Sequence, residues 1–499
     1  MHVKPGGQQP LAALANRFSE MALHVSLSRY YWLAAGVVLT LAAFNLTFRL
    51  HREIVVEWDE SLYGLSAWEM ARNHQWIGTT FRQALDYYNT KPPLNIWLIS
   101  LSFRAFGANL ISLRLPSIVS AWLTVLVLQL WVRRAVNPVM ALLASLVLAT
   151  SFGFLYDHSG RNANTDALFT LLVLLTVVTL WAADQRLWRL VWLGPISAAC
   201  FLLRGMAVLM PLAIICAVEC RRVKPWTDRT APLLVAVVLF VAPVWAWAWQ
   251  RWQLDQWQFL GLLFFYDFVA RSIRVIEEHR GTPLYYLNVL QKNQVVWLSA
   301  GIISFGLCPV AWQRIRSWNR FWRGHDTLRL VIGWWILITL LIPTLMSTKL
   351  SWYLNPFYPA FALIVASVFA HGLSCNDPAF KSRRIALAAT LVGALVLAET
   401  RLIWYSVHRR SLAHSTQEFL LAQREHLTGR RVFHSRWDNS ERFILNALVG
   451  AEPREASTAD AFLRESTPGD YWLVSQKLNR TDLILVSSHR RRWLYRRGQ

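Results

Sequence analysis

Residues 57–93 hold the side chains best suited to chemistry. Glu57-Trp58-Asp59-Glu60 sets carboxylates beside an aromatic ring, and Tyr87-Tyr88-Asn89-Thr90-Lys91-Pro92-Pro93 supplies phenols and an ammonium. A carboxylate can take or orient the proton of a hydroxyl. A lysine ammonium is a point-charge phosphate binder. Further ionisable residues recur along the chain at Asp157, Arg161, Asp166, Arg204, His279, Arg280 and Lys349. These groups form one site only if the elements between them bring them to one face.

Those elements are hydrophobic. The chain has 499 residues, 55% hydrophobic and only 16% charged. Apolar runs of about 18 to 22 residues recur, the length needed to cross a hydrocarbon core of roughly 30 Å, so the chain reads as a polytopic helical membrane protein. Many of the 27 Trp flank these runs, as interfacial aromatic belts do. The net charge of +22 suits anionic lipid or phosphate partners; no motif supports nucleic acid. The five cysteines have no metal-site spacing, and no disulfide is expected. The first apolar stretch lacks a small-residue cleavage site and reads as an uncleaved span.

Lys4, Arg17 and Arg29 precede span 1 (about 30–48), which places the N-terminus in the cytoplasm. The reading then gives spans at about 110–131, 136–155, 166–183, 190–203, 206–219, 231–249, 291–311, 327–346, 353–371 and 385–402. That makes about eleven spans, or thirteen if one pair is missed. The loop with Arg314, Arg316, Arg320 and Arg323 is the strongest cytoplasmic marker. Loops 49–109 and 250–290 fall outside, with 93–106 as a helix along the membrane surface. Residues 1–404 form the transmembrane catalytic part. Residues 405–499 read as a small outer α/β domain, with a helix at 416–426 and strands at 431–434, 471–474 and 483–486. The basic run Arg490-Arg491-Arg492, with Arg496 and Arg497, reads as a solvated tail. This topology brings Asp59, Glu60, Lys91, Asp157, Arg161, Asp166, Arg204, His279, Arg280 and Lys349 to one outer face, where ionisable groups at membrane depth mark function.

"EWDESLYGLSAWEMARN", "YYNTKPPLNIWLISLSFRAFG", "GRNANTDALF", "EEHRGTPLYYL" and "STKLSWYLNPFYPAFA" follow one another in order. Together, over about residues 30–372, they resemble bacterial lipid-carrier-dependent glycosyltransferases of the protein-mannosyltransferase superfamily, and among these the lipid A aminoarabinose transferases. The resemblance implies a GT-C fold. It also implies transfer of a sugar from a polyprenyl-phosphate donor to an envelope acceptor on the periplasmic side of the bacterial inner membrane. The acceptor class expected is an anionic glycolipid, lipid A or lipopolysaccharide core. It makes Asp59 the general base, with Glu60 assisting and Asp166 positioning the base or binding acceptor. Lys91, Tyr88, Arg161, Arg204, Lys349 and Tyr353 become the donor-phosphate group, with His279 and Arg280 in a loop near the site.

Two positions depart from the resemblance. Thr90 stands where these transferases commonly carry Glu before the lysine, a residue that can join the loop histidine in holding a metal. A hydroxyl is a poor partner for a zinc-type site, so no metal or other cofactor is expected. Leu62 stands where they commonly carry Arg, so the sugar is left unnamed. Transfer to protein or another envelope glycan is the alternative. A lipid-linked-sugar transporter is disfavoured, because the charges lie at one face and no repeat is visible.

Overall fold

The computed structural model describes residues 30–222, 225–276, 278–307, 326–373, 381–408, 412–435 and 438–498. The N-terminal Lys4, Arg17 and Arg29, the arginine loop 314–323, Cys308 and Cys375 lie outside the described residues. Seven helices among the described residues are long and apolar enough to cross a membrane: Tyr30–Arg52, Leu110–Ala135, Leu187–Arg221, Trp226–Asp255, Asp326–Leu345, Ser351–Leu373 and Lys381–His408. The expected spans at 136–155 and 166–183 are built from shorter helices, Pro138–Ala149 and Asp166–Ala182. The expected hinge at Arg204-Gly205 is a 3-10 turn, Gly205–Val208, between helices Leu193–Arg204 and Leu209–Arg221. Gly205 is needed there: its φ is +56°, and a Cβ would lie 2.6 Å from Leu263.

The first outer loop is folded. Helix α1 (Asp59–Asn73) begins with two carboxylates in its first turn, where the helix dipole favours negative charge. Trp58 is its N-cap, at φ 73° and ψ −116°. Helix α2 (Leu94–Phe106) starts at Pro93, whose fixed φ suits a helix entrance, and ends at Gly107. Asn109 and Ser112 form a reciprocal cap for helix α3 (Leu110–Ala135).

Helix α3 carries Arg114, the fastening point of the loop. Arg114 and Glu60 form a salt bridge at 2.7 Å, both side chains fully buried. Arg114 also donates to the carbonyls of Leu50 (3.0 Å) and Ile54 (2.6 Å). Glu60 accepts from Val56 N (2.9 Å) and Ala163 N (3.1 Å). Each partner is thus saturated with hydrogen bonds, the condition under which a buried ion pair is tolerated. Arg161, fully buried as well, pairs with Glu53 and donates to the carbonyls of Asn45 and Phe48.

The C-terminal region forms a five-stranded mixed sheet of order Glu452–Glu455, Arg431–His434, Tyr471–Val474, Arg492–Arg497, Leu483–His489. Three of the strands match the sequence reading. The basic run is not a free tail: Arg492–Arg497 is an inner strand, antiparallel to both neighbours. Its consecutive Leu494 and Tyr495 are both buried, in separate core clusters, so its apolar residues, not its charge, decide its place. The core of this region is continuous with the first loop. Val55, Tyr63, Ile99 and Phe103 share one cluster with Leu420, Phe443 and Leu473. Gly64 lets Phe443 approach α1, since a Cβ there would lie 2.8 Å from its ring.

Removing one partner of the Arg114–Glu60 pair strands a buried charge, at a cost of about 3–5 kcal/mol. Arg114→Ala is therefore expected to lower the melting temperature and yield sharply in detergent. Arg114→Met combined with Glu60→Leu should recover much of that loss in the same thermal assay.

Candidate active site

A cavity of about 830 Å³ opens where the first loop meets the helix ends. Asp59 comes from the first turn of α1, and Lys91 from the irregular stretch just before α2. Asp166 begins its helix, Arg204 ends another, and Arg271 follows the π-helical segment Leu262–Ala270. Tyr353 sits in the 3-10 segment Ser351–Phe357. All six line this one cavity. The approach to Lys91 is shaped by Asp86, whose carboxylate accepts from Tyr88 N (2.9 Å) and Asn89 N (3.1 Å).

Charge in the cavity is arranged unequally. Burial pulls the pKa of Asp59 up, but Lys91, His158, Arg204 and Arg271 together outweigh it and hold the carboxyl below its ordinary range. Burial would strip Lys91 of its proton, yet Asp59, Tyr63 and Asp267 hold it charged well above the usual lysine range. Arg204 is bound to Asp166 at 2.6 Å, so part of its charge is met inside the protein. Arg271 pairs with Asp267 at 3.1 Å one turn earlier. Asp59 therefore faces mainly positive neighbours and remains ionised, while the cations keep spare positive potential for an anion in the cavity.

Of the residues singled out from sequence, Asp59, Asp166, Lys91, Tyr88, Arg204, Tyr353 and His279 line this cavity. Glu60 does not: its carboxylate is spent on Arg114 and two backbone amides, so it holds the loop and has no free oxygen for a substrate. Arg161 is spent on Glu53 and two carbonyls, and the partner of Asp166 is Arg204. Lys349 turns away. Its ammonium donates to the carbonyls of Pro343 (3.2 Å), Thr344 and Met346 (2.5 Å), closing the end of helix Asp326–Leu345, and burial lowers its pKa. Arg280 is exposed and outside the cavity lining. Asp157, read as a solvated loop residue, accepts from Ser351 Oγ (2.8 Å) and Asn293 Nδ2 (2.9 Å), tying three segments together.

Several lining residues escaped the sequence reading. His158 stacks on Trp352 with ring centroids 3.7 Å apart, and its Nδ1 is 2.8 Å from Asn164 and 3.9 Å from Asp59. Trp58, given no role from sequence, faces the expected Tyr88 at 6.1 Å. These rings form aromatic walls of the kind that take the apolar face of a ligand. Arg271 and Asp267 sit in a segment read only as outer loop; the Asp-x-x-x-Arg spacing was the signal available. Among the described residues, no three His, Cys, Asp and Glu side chains gather as a metal-ligand group. Thr90 lines the cavity with a hydroxyl.

Comparison with known proteins follows the same lines. Residues 90–247 match the family described as dolichyl-phosphate-mannose-protein mannosyltransferase. The undecaprenyl phosphate-alpha-4-amino-4-deoxy-L-arabinose arabinosyl transferase of Pseudomonas savastanoi pv. phaseolicola is 30% identical over 375 residues, 73% of this chain and 67% of that protein. A second transferase of that name, from Pseudomonas fluorescens, is 29% identical over 63% of this chain and 56% of its own length. The chain thus spans between about half and two thirds of these relatives. Among solved structures, ArnT from Cupriavidus metallidurans bound to undecaprenyl phosphate superposes with a TM-score of 0.67 at 14% identity, covering 94% of this chain and 98% of that one. An oligosaccharyltransferase from Archaeoglobus fulgidus shares the membrane fold at a TM-score of 0.50 and 12% identity, over 85% of this chain and 64% of its own. The fold is therefore GT-C, and this chain belongs to the family of lipid-carrier-dependent glycosyltransferases that includes these arabinosyl transferases.

Proposed function

We propose that this glycosyltransferase moves a sugar from an undecaprenyl-phosphate donor to lipid A or lipopolysaccharide core at the periplasmic face of the inner membrane. The observation that carries the reading is the opposition, in one cavity, of the ionised Asp59 to Lys91, Arg204 and Arg271. The donor phosphate sits against the cations and the acceptor hydroxyl against Asp59. The acceptor oxygen bonds to the anomeric carbon as the bond from that carbon to the phosphate oxygen breaks. The hydroxyl proton passes to Asp59, and undecaprenyl phosphate leaves with its charge met by the cations. A carboxylate held below its usual pKa is a weak base at rest. It takes the proton late, once bond formation has made the hydroxyl acidic. The aromatic walls, Trp58 with Tyr88 and Trp352 with His158, suit the apolar face of a sugar ring. Leu62 lines the same cavity without a charge, so the grip on the donor head group differs from one built on arginine.

In a host lacking this gene, the wild-type chain is expected to add a pentose-, hexose- or uronic-acid-sized mass to an envelope glycolipid, read by mass spectrometry. Asp59→Asn at equal protein level should lower that product at least a hundredfold, the scale of a lost acid–base group. The same adduct from both would remove Asp59 from the reaction. An adduct on protein would redirect the acceptor.

The pKa of Asp59 is lowered, so its base form persists as pH falls and is lost only below the ordinary carboxylate value of about 3.9. The activity of the purified enzyme is therefore expected to be flat from about pH 7 to pH 5; an acid limb inside that window would assign the base to another group. For topology, a periplasm-active phosphatase fused after residue 498 should be active, and the same reporter fused after residue 222 inactive.

A further inference from the structure

The segment that aims Asp59 is strained. Trp58 has φ 73° and ψ −116°, outside the regions open to a bulky L-residue, immediately before the carboxylate. Such a conformation costs on the order of 1–3 kcal/mol and persists only where surrounding contacts over-determine it. From within the membrane part, Arg114 and Glu60 grip Ile54 and Val56. Between them lies Val55, and its grip comes from 362 positions away in the sequence.

Gln417, in helix Leu412–Ala422 of the C-terminal region, meets Val55 with both ends of its amide. Its Oε1 accepts from Val55 N at 2.8 Å and its Nε2 donates to Val55 O at 2.9 Å. The second Nε2 proton goes to Ser440 Oγ at 3.0 Å. Val55 and Gln417 are both buried. The pairing copies a strand-to-strand backbone exchange. Only a side-chain amide can complete it: a carboxylate cannot donate, and an apolar chain can do neither. Around it, Phe443 stacks on Phe103 and presses on Gly64. At the rim, Arg82 pairs with Glu455.

We propose that Gln417 is a positioning residue for the reaction. Through it the C-terminal region holds the Val55–Asp59 segment, so the outer domain is part of the catalytic apparatus and not only an appendage. The inference rests on the reading of Asp59 as proton acceptor. Loosening Val55 lets Trp58 relax and moves the carboxylate. A displacement near 1 Å costs up to about a hundredfold in rate while leaving donor contacts at Lys91 and Arg204 intact.

The test compares wild type, Gln417→Met and Arg82→Gln as full-length protein. The probes are undecaprenyl phosphate-4-amino-4-deoxy-L-arabinose as donor and lipid A as acceptor, with hydrogen exchange read on residues 50–62. Gln417→Met should lower kcat at least about tenfold with donor KM within about twofold, and should speed exchange at Val55 and its neighbours. Arg82→Gln removes an exposed ion pair at the same contact and should change neither. Wild-type kcat in Gln417→Met overturns the proposal, and so does an equal fall in Arg82→Gln, which would mark general loosening of the contact. Should Gln417→Met fail to fold, Gln417→Asn keeps an amide that is too short to reach Val55, and the same two criteria apply to it. If wild type transfers nothing from this donor, aminoarabinose fails as the sugar, on its own. Exchange at Val55 then decides the clamp: unchanged exchange overturns it.

Discussion

The fully buried pair of Arg114 and Glu60 is the constraint on which the site depends. An ion pair taken out of water repays its desolvation only when every donor and acceptor finds a partner. Here the partners are backbone groups of one short loop, at Leu50, Ile54 and Val56, with Ala163 from a second segment. Satisfying the pair therefore fixes the loop. The loop in turn delivers Asp59 into the cavity at the first turn of its helix, through a Trp58 conformation that no local preference supports. Arg161 on one side and Gln417 on the other complete a set of grips from three distant parts of the chain.

The cavity shows how charge is divided between architecture and chemistry. Glu60, Arg161 and Lys349 are as ionisable as Asp59 and Lys91, but their hydrogen-bonding capacity is consumed by backbone groups. Asp59, by contrast, faces several cations across the cavity. That asymmetry suits a reaction in which negative charge grows on a departing phosphate while a hydroxyl proton must go elsewhere. The aromatic pairs around it belong to loops that are far apart in the chain, 58 with 88 and 158 with 352.

Much of this was legible in the sequence. Apolar run lengths and basic loops led to a polytopic helical protein, because the hydrocarbon core sets both. The ordered motifs led to the glycosyltransferase family and to Asp59, Lys91, Asp166, Arg204 and Tyr353, which the fold gathers at one cavity. The structure gives several residues other partners than the sequence reading did. A carboxylate next to Asp59 looked catalytic and is a brace; a lysine in a late motif looked like a phosphate ligand and closes a helix end. The arginine-rich terminus looked solvated and is an inner strand, since the apolar run Trp493-Leu494-Tyr495 between the charges was the stronger signal.

The sequence by itself determined the class of the protein and pointed to its candidate base. These follow from local length, charge and motif order, which need no knowledge of distant contacts. Only the tertiary structure decided which charged groups are free. Whether a carboxylate or ammonium meets substrate or backbone depends on partners hundreds of residues away, such as Gln417 on Val55. In a buried setting the unpaired alternative is too costly to persist.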